Sequence, residues 1–204
     1  MRIVMKFGGS SVGGVEGRNN VVAILRDHAK TNEVIAVASA MNGVTNDLIE
    51  AASRASQRDK QHVAEAIRQI GIRHENVCRQ VIRSADEFKR TMASLELELR
   101  GLEKLLTGIR YLGELTPRSR DHVLSFGERL STLVLVGALH DSGVAAQRLA
   151  GEETGIVTDA SFGEATPLME ITQLRVAERI CPLIEKRKVP VITGYIAATQ
   201  DGVP

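Results

Sequence analysis

The first forty residues carry the pattern that most narrows the fold. An apolar run, Ile3-Val4-Met5, leads into Lys6-Phe7-Gly8-Gly9-Ser10-Ser11-Val12. Helical spacing follows from Val15 to Lys30, with Val21, Val22 and Leu25 on one face. Val34-Ile35-Ala36-Val37-Ala38 is then a continuous apolar run, of the kind found in parallel strands covered on both faces. Strand, glycine turn, helix and strand in this order make a βαβ unit with a right-handed crossover.

The glycine turn has three readings. Two adjacent glycines let backbone N–H groups approach an anion with no Cβ in the way. A helix start adds unpaired N–H groups and a positive dipole end, and Lys6 adds a mobile charge, so the turn suits a phosphate. The spacing is neither Gly-x-x-x-x-Gly-Lys-Ser/Thr nor Gly-x-Gly-x-x-Gly. Gly9-Ser10-Ser11-Val12-Gly13 formally matches the Gly-x-Ser-x-Gly elbow of a nucleophilic serine. The third reading is a bare turn that only reverses the chain. On this segment alone all three stay open.

Composition removes several functional classes. At 204 residues one domain is the default. A formal net charge of +1 and only 3% aromatic residues give no sign of a nucleic-acid partner. No apolar run is expected to reach the roughly 20 residues of a membrane span. Met1 leads directly into a strand, with no signal-peptide pattern. Cys78 and Cys181 form no metal-type pair and read as reduced packing residues, so a cytoplasmic location is expected. The five histidines are scattered, and no metal site is expected.

The remainder alternates helices with strands. Residues 46–106 are helical in pattern, with Gly71 and Gly101 as candidate breaks and Leu95, Leu99, Leu102 and Leu106 on one face. This region is expected to form a helical hairpin lying on the sheet, in preference to a partner-binding coiled coil, because no strict heptad persists. Thr116 and Pro117 start a further helix, as N-cap and first-turn residue, and Gly143 ends it. Residues 144–149 form a strand, 151–167 a loop with a short strand near Ile156, 174–186 a helix and 189–196 a strand. The fold class is therefore α/β, a three-layer sandwich with a mainly parallel sheet. Ligands in such sheets sit at the carboxyl ends of strands, which selects the loops after Phe7, Ala38, Leu149 and Ile196.

Two of these neighbourhoods carry usable chemistry. In Ser39-Ala40-Met41-Asn42-Gly43-Val44-Thr45-Asn46, the hydroxyls of Ser39 and Thr45 can donate to a carboxylate. The plainer alternative makes Thr45 a helix cap and Asn42-Gly43 a tight turn. In Ser125-Phe126-Gly127-Glu128-Arg129-Leu130-Ser131, Gly127 interrupts a helix at a cost of about 1 kcal/mol relative to alanine. That gap admits another segment or a ligand, and Glu128 beside it can hold an ammonium group. The alternative is an exposed Glu128–Arg129 pair on a solvated face.

These three blocks, in this order, resemble the signature segments of aspartate kinases within the amino acid kinase family. Val157-Thr158-Asp159-Ala160-Ser161-Phe162-Gly163 and Val189-Pro190-Val191-Ile192-Thr193-Gly194-Tyr195-Ile196 agree with them. The resemblance runs from Met1 to about Asp201. It implies that Lys6 contacts the transferring phosphoryl group of ATP, with Gly8, Gly9 and Ser10 lining the phosphate. It implies that Ser39, Thr45 and Glu128 hold aspartate, Glu128 pairing its ammonium, with Phe162 beside the pocket. The reaction implied is aspartate plus ATP, with Mg2+, giving 4-phosphoaspartate and ADP, the first step toward lysine, threonine and methionine. No side-chain nucleophile is needed, which removes the motive for the elbow. A glutamate or acetylglutamate kinase, or a non-catalytic binding module of the same fold, are the alternatives.

Family members continue into a Gly-Arg-Gly-Gly-Ser-Asp segment, a nucleotide-binding half and regulatory domains. The resemblance therefore implies that residues 1–204 are the N-terminal, amino-acid-binding part of a truncated catalytic domain, inactive alone, whose parent is a homodimer. It also implies that the strand at 189–196 has lost neighbours and leaves an open edge or apolar face.

Overall fold

The computed structural model describes residues 1–203. Strand β1 (Arg2–Phe7) passes through a short helix α1 (Gly9–Val12) into α2 (Val15–Ala29) and β2 (Glu33–Ala38). Three helices follow: α3 (Val44–Ser56), α4 (Lys60–Val81) and α5 (Ala85–Leu112). Then come α6 (Pro117–Asp141), β3 (Ala146–Leu149), α7 (Gly151–Thr154) and β4 (Val157–Thr158). The described chain closes with α8 (Met169–Glu185), β5 (Val189–Thr193) and β6 (Ala198–Thr199).

The main sheet has the order β1-β2-β5-β3, all parallel, and β4 pairs with β6 in a separate parallel ribbon. Its two faces follow the strand period of two. Val34, Ala36, Ala38, Val189 and Val191 enter the main core with α2 and α6. Ile35, Leu149 and Ile192 meet Ile180, Leu183 and Ile184 of α8. Helices on both faces of a parallel sheet make the expected three-layer sandwich.

Several sequence expectations need correction. Gly71 and Gly101 do not break helices. They lie inside α4 and α5, where a Cβ would stand 3.2 Å from Leu99 and 3.3 Å from Phe126. Their role is close helix approach. The breaks fall at Arg58, whose φ is +66°, and at Ile82–Ser84, where the side chains of Asp59 and Ser84 cap the next helices. The helical region is not a hairpin on the sheet. It is three helices stacked chiefly on one another and on α6, so the sheet is reached through α6.

The strand at 189–193 is not an edge either. It pairs with β2 on one side and β3 on the other, and its residues are buried. The open edges are β1 and β3, and on β1 the residues Arg2, Val4 and Lys6 face solvent. Among the described residues one helix, α6, is long and apolar enough by length and composition to cross a membrane. Its apolar window is 67% buried, as in the core helix of a folded domain.

An ion-pair triad ties three of these elements together. Glu98 of α5 lies 3.0 Å from Arg129 of α6 and 3.0 Å from Arg148 of β3. Arg148 makes an aligned hydrogen bond, whereas Arg129 Nε meets the carboxylate as a misaligned ion pair. Glu98 and its partners are mostly buried, so removing one would strand the others. The arrangement also turns Arg129 away from Glu128.

Candidate active site

The loops at the carboxyl ends of the strands converge on one open cleft of about 840 Å³. Its lining includes Gly9 from the glycine turn, Ser39 to Gly43 and Thr45 after β2, and Asp121, Ser125 and Glu128 from α6. Asp159, Phe162 and Gly163 close it after β4, and Tyr195 to Ala197 after β5.

Glycines set the close approaches. A Cβ on Gly9 would lie 3.0 Å from the carbonyl oxygen of Ala40, and one on Gly127 would lie 2.8 Å from Ala40 Cβ. The helix gap at Gly127 therefore admits the segment after β2. Gly8 has no protein atom within 4 Å of its Cβ position. Space remains there for a ligand to approach the backbone.

Of the residues expected in the site, Gly9, Ser39, Thr45, Glu128 and Phe162 line the cleft together. Lys6, Gly8 and Ser10 do not line it. Lys6 sits at the rim, donating to the Tyr195 hydroxyl at 3.1 Å with its ammonium 4.7 Å from the ring centre. Thr45 is not a helix cap: Gly43, with φ +83°, takes that place and leaves the Thr45 side chain for the cleft.

Glu128 is not a solvated surface acid. It is half-buried, and its Oε1 accepts a hydrogen bond from the Ala40 N–H at 3.3 Å. Burial holds its carboxyl above the usual range, only partly offset by the backbone N–H groups of Ala40 and Glu128. Asp159 goes the other way, lowered by the backbone N–H groups of Ser161 and Thr166. His122, stacked on Phe126 beside the cleft, is lowered by burial first and then by Arg129.

Sequence reasoning missed Asp121 and Tyr195. Asp121 Oδ2 accepts the Gly163 N–H at 2.6 Å, fastening the loop that carries Phe162 onto α6. The available signal was spacing, since seven residues before Glu128 is two helical turns on the same face. Tyr195 takes φ +56°, a strained value for tyrosine, and its place after Gly194 at a strand end was the only hint.

The model of the amino acid kinase family matches residues 1–203. The chain belongs to the amino acid kinase family. Among relatives in this family, it is 34% identical over 194 residues to "Aspartokinase 1, chloroplastic" of Arabidopsis thaliana, covering 95% of this chain and 33% of the relative. It is 31% identical over 216 residues to "Aspartokinase" of Saccharomyces cerevisiae, covering 98% and 40%. The chain thus spans about a third of the length of the chloroplastic aspartokinases of Arabidopsis thaliana that it matches.

Solved members of the family agree on the fold. E. coli aspartokinase III in complex with aspartate and ADP superposes with a TM-score of 0.87 at 24% identity, over 100% of this chain and 42% of that one. The Clostridium acetobutylicum aspartate kinase gives 0.71 at 19%, over 100% and 41%.

Proposed function

We propose that this chain is the amino-acid-binding part of an aspartate kinase of amino-acid biosynthesis. In this reading a side-chain carboxylate oxygen of aspartate attacks the γ-phosphorus of ATP. The bond to the ADP oxygen breaks, and 4-phosphoaspartate leaves with ADP. The attacking group is already a carboxylate, so no protein nucleophile or general base is required. The work is positioning and charge neutralisation.

The observation that carries the reading is the gathering of Ser39, Thr45, Glu128 and Phe162 around one cleft, from segments far apart in sequence. Glu128 is a half-buried carboxylate with spare acceptor capacity, suited to an α-ammonium. Ser39 and Thr45 offer hydroxyl donors to substrate carboxylates. Gly8, Gly9 and Ser10 border the phosphate, and Lys6 swings from Tyr195 to the transferring phosphoryl group. In this reading Mg2+ would arrive with the ATP phosphates, as it does where one or two carboxylates and substrate phosphates share it. Glutamate and acetylglutamate kinase readings have less support, since the relatives at 34% identity named above are aspartokinases.

The proposal includes a homodimeric parent, testable by light scattering. It also includes a cytoplasmic location, supported by the free Cys78 and Cys181 and testable by fractionation.

The test is an ADP-release assay on the complete polypeptide that carries this chain, with hydroxylamine trapping of the acyl phosphate. Aspartate should support turnover, and glutamate and N-acetylglutamate should not. Preferred turnover of either competitor would overturn the reading. Calorimetric titration of residues 1–204 alone should show weak aspartate binding and no useful ATP affinity.

A further inference from the structure

Arg18 is fully buried in α2, and among the described residues no carboxylate pairs with it. Its Nη1 donates to the Ser131 carbonyl at 2.9 Å. Its Nη2 donates to the Val12 carbonyl and, at 3.3 Å, to Ser131 Oγ. Burial lowers its pKa to about 10, so it stays charged at neutral pH and makes an isolated cation in the core. Such a group is costly, and a fold that merely needed volume would use an apolar residue.

The two contacts join the walls of one slot. Val12 ends α1, which begins at Gly9, and Ser131 lies one turn beyond Glu128 on α6. Between these walls runs the segment after β2. On one side a Cβ at Gly9 would meet the Ala40 carbonyl at 3.0 Å, and one at Gly13 would meet Asn42 Cβ at 3.0 Å. On the other side a Cβ at Gly127 would meet Ala40 Cβ at 2.8 Å. Both walls are glycine-faced, so the slot has no slack and its width is set by whatever joins them.

We propose that Arg18 is a positioning residue. By bridging Val12 and Ser131 it fixes the separation of α1 and α6, and hence the places of Gly9, Ser39 and Glu128 around the cleft. A planar guanidinium suits this because its donors diverge in a fixed fork and reach two elements at once, whereas a lysine ammonium is a point donor. The kinetic part of this inference rests on the aspartate kinase reading. The structural part does not.

The test uses Arg18→Met and Arg18→Lys in the complete polypeptide, with melting temperature, amide exchange across residues 39–46, and steady-state kinetics. Arg18→Met removes the cost of burying a lone charge but leaves the Val12 and Ser131 carbonyls without this donor, two effects of opposite sign. Arg18→Met should therefore melt within a few degrees of the parent, yet exchange about tenfold faster across 39–46. It should lose about tenfold to a hundredfold in kcat/KM for aspartate, the cost of a misplacement near 1 Å. A residue serving stability alone would lose melting temperature and activity together. Arg18→Lys should recover only part of the exchange protection. Unchanged exchange with kcat/KM within about twofold of the parent would overturn the proposal. Should Arg18→Met fail to fold, Arg18→Lys carries the same test with the same overturning result. Should the parent fail to phosphorylate aspartate, the functional reading falls while the exchange data still decide the role of Arg18.

Discussion

Gly127→Ala sets two opposing effects against each other at the floor of the cleft. The new methyl would stand 2.8 Å from Ala40 Cβ. Carbon atoms rest at about 3.5–4.0 Å, so Ala40 must retreat by roughly 1 Å. Neither partner can relieve this by changing rotamer, because an alanine has none. In favour of the variant, alanine in a helix interior gains about 1 kcal/mol over glycine. Against it, overpacking a filled site costs about 1–3 kcal/mol. The net effect on stability is then a loss of about 0–2 kcal/mol. The functional effect should be larger. The Ala40 N–H that would move is the donor to Glu128 at 3.3 Å, and Ser39 is its neighbour. A displacement near 1 Å costs up to about a hundredfold, or about 2.7 kcal/mol of transition-state stabilisation. Steady-state kinetics on the complete polypeptide should show kcat/KM for aspartate lowered about tenfold to a hundredfold, while calorimetry shows melting moved by a few degrees at most. Parental kcat/KM with a raised melting temperature would refute this reasoning, leaving Gly127 as a helix defect unconnected with the cleft.

Glu128→Gln should weaken aspartate on the order of a hundredfold by unpairing the ammonium, with ATP affinity nearly unchanged in parallel titrations. Because burial raises the Glu128 carboxyl, folding binds its proton more tightly. Stability therefore falls as pH rises from its ordinary value through the raised one, and Glu128→Gln should be as stable as the parent or more so at pH 7. Lys6→Ala should lower kcat on the order of a hundredfold with little change in KM for aspartate, as expected for a contact made mainly in the transition state; near-normal kcat would remove Lys6 from the chemistry. Burial lowers His74 from 6.5 to about 4, so the unfolded chain takes up this proton first. The stability it contributes, about 3 kcal/mol at 1.36 kcal/mol per unit, is present above pH 6.5 and lost as pH falls toward 4. Urea titrations across that range should flatten in His74→Gln. Asp121→Ala should raise KM for aspartate about tenfold by releasing Gly163, whereas Asp121→Asn, which keeps the acceptor, should not.

The parts of the fold legible in sequence are those whose signals are local. Val34 to Ala38 is unbroken apolar sequence, and Thr116-Pro117 carries its own cap, confirmed by the bond from the Ser119 N–H to Thr116 Oγ1 at 3.2 Å. Gly71 and Gly101 misled because a helix glycine looks the same whether it ends a helix or lets another approach. Only the facing side chains, Leu99 and Phe126, decide between these. The edge position of β1 was equally hidden, since strand order is set by how α6 and α8 cover the two faces. In the site, Gly127 flagged Glu128 because a costly glycine needs a reason. Nothing local flagged Lys6 and Tyr195 as partners across 189 positions.

The charge of the cleft explains why these particular residues would matter. Its lining includes the carboxylates of Asp121, Glu128, Asp159 and Glu164 and, among the described residues, no lysine or arginine. Two of the four are already committed: Asp121 to the Gly163 N–H, and Asp159 to the N–H groups of Ser161 and Thr166. Both hold the loop around Phe162. Glu164 is exposed on that loop. Glu128 is therefore the half-buried acid with unspent capacity, and a substrate ammonium is the group that best offsets its burial. A dicarboxylate substrate brings negative charge into the same space, and phosphate adds more. On the proposed reading Lys6 must supply the compensating cation from the rim. Its contact with Tyr195 is exposed, so the hydrogen bond and the cation–π contribution together amount to about 1 kcal/mol or less. A phosphoryl group in a partly desolvated cleft outbids that easily. On that reading the Lys6–Tyr195 pair would hold the cation in reserve, and nucleotide binding to the complete polypeptide should release Tyr195 as Lys6 turns inward.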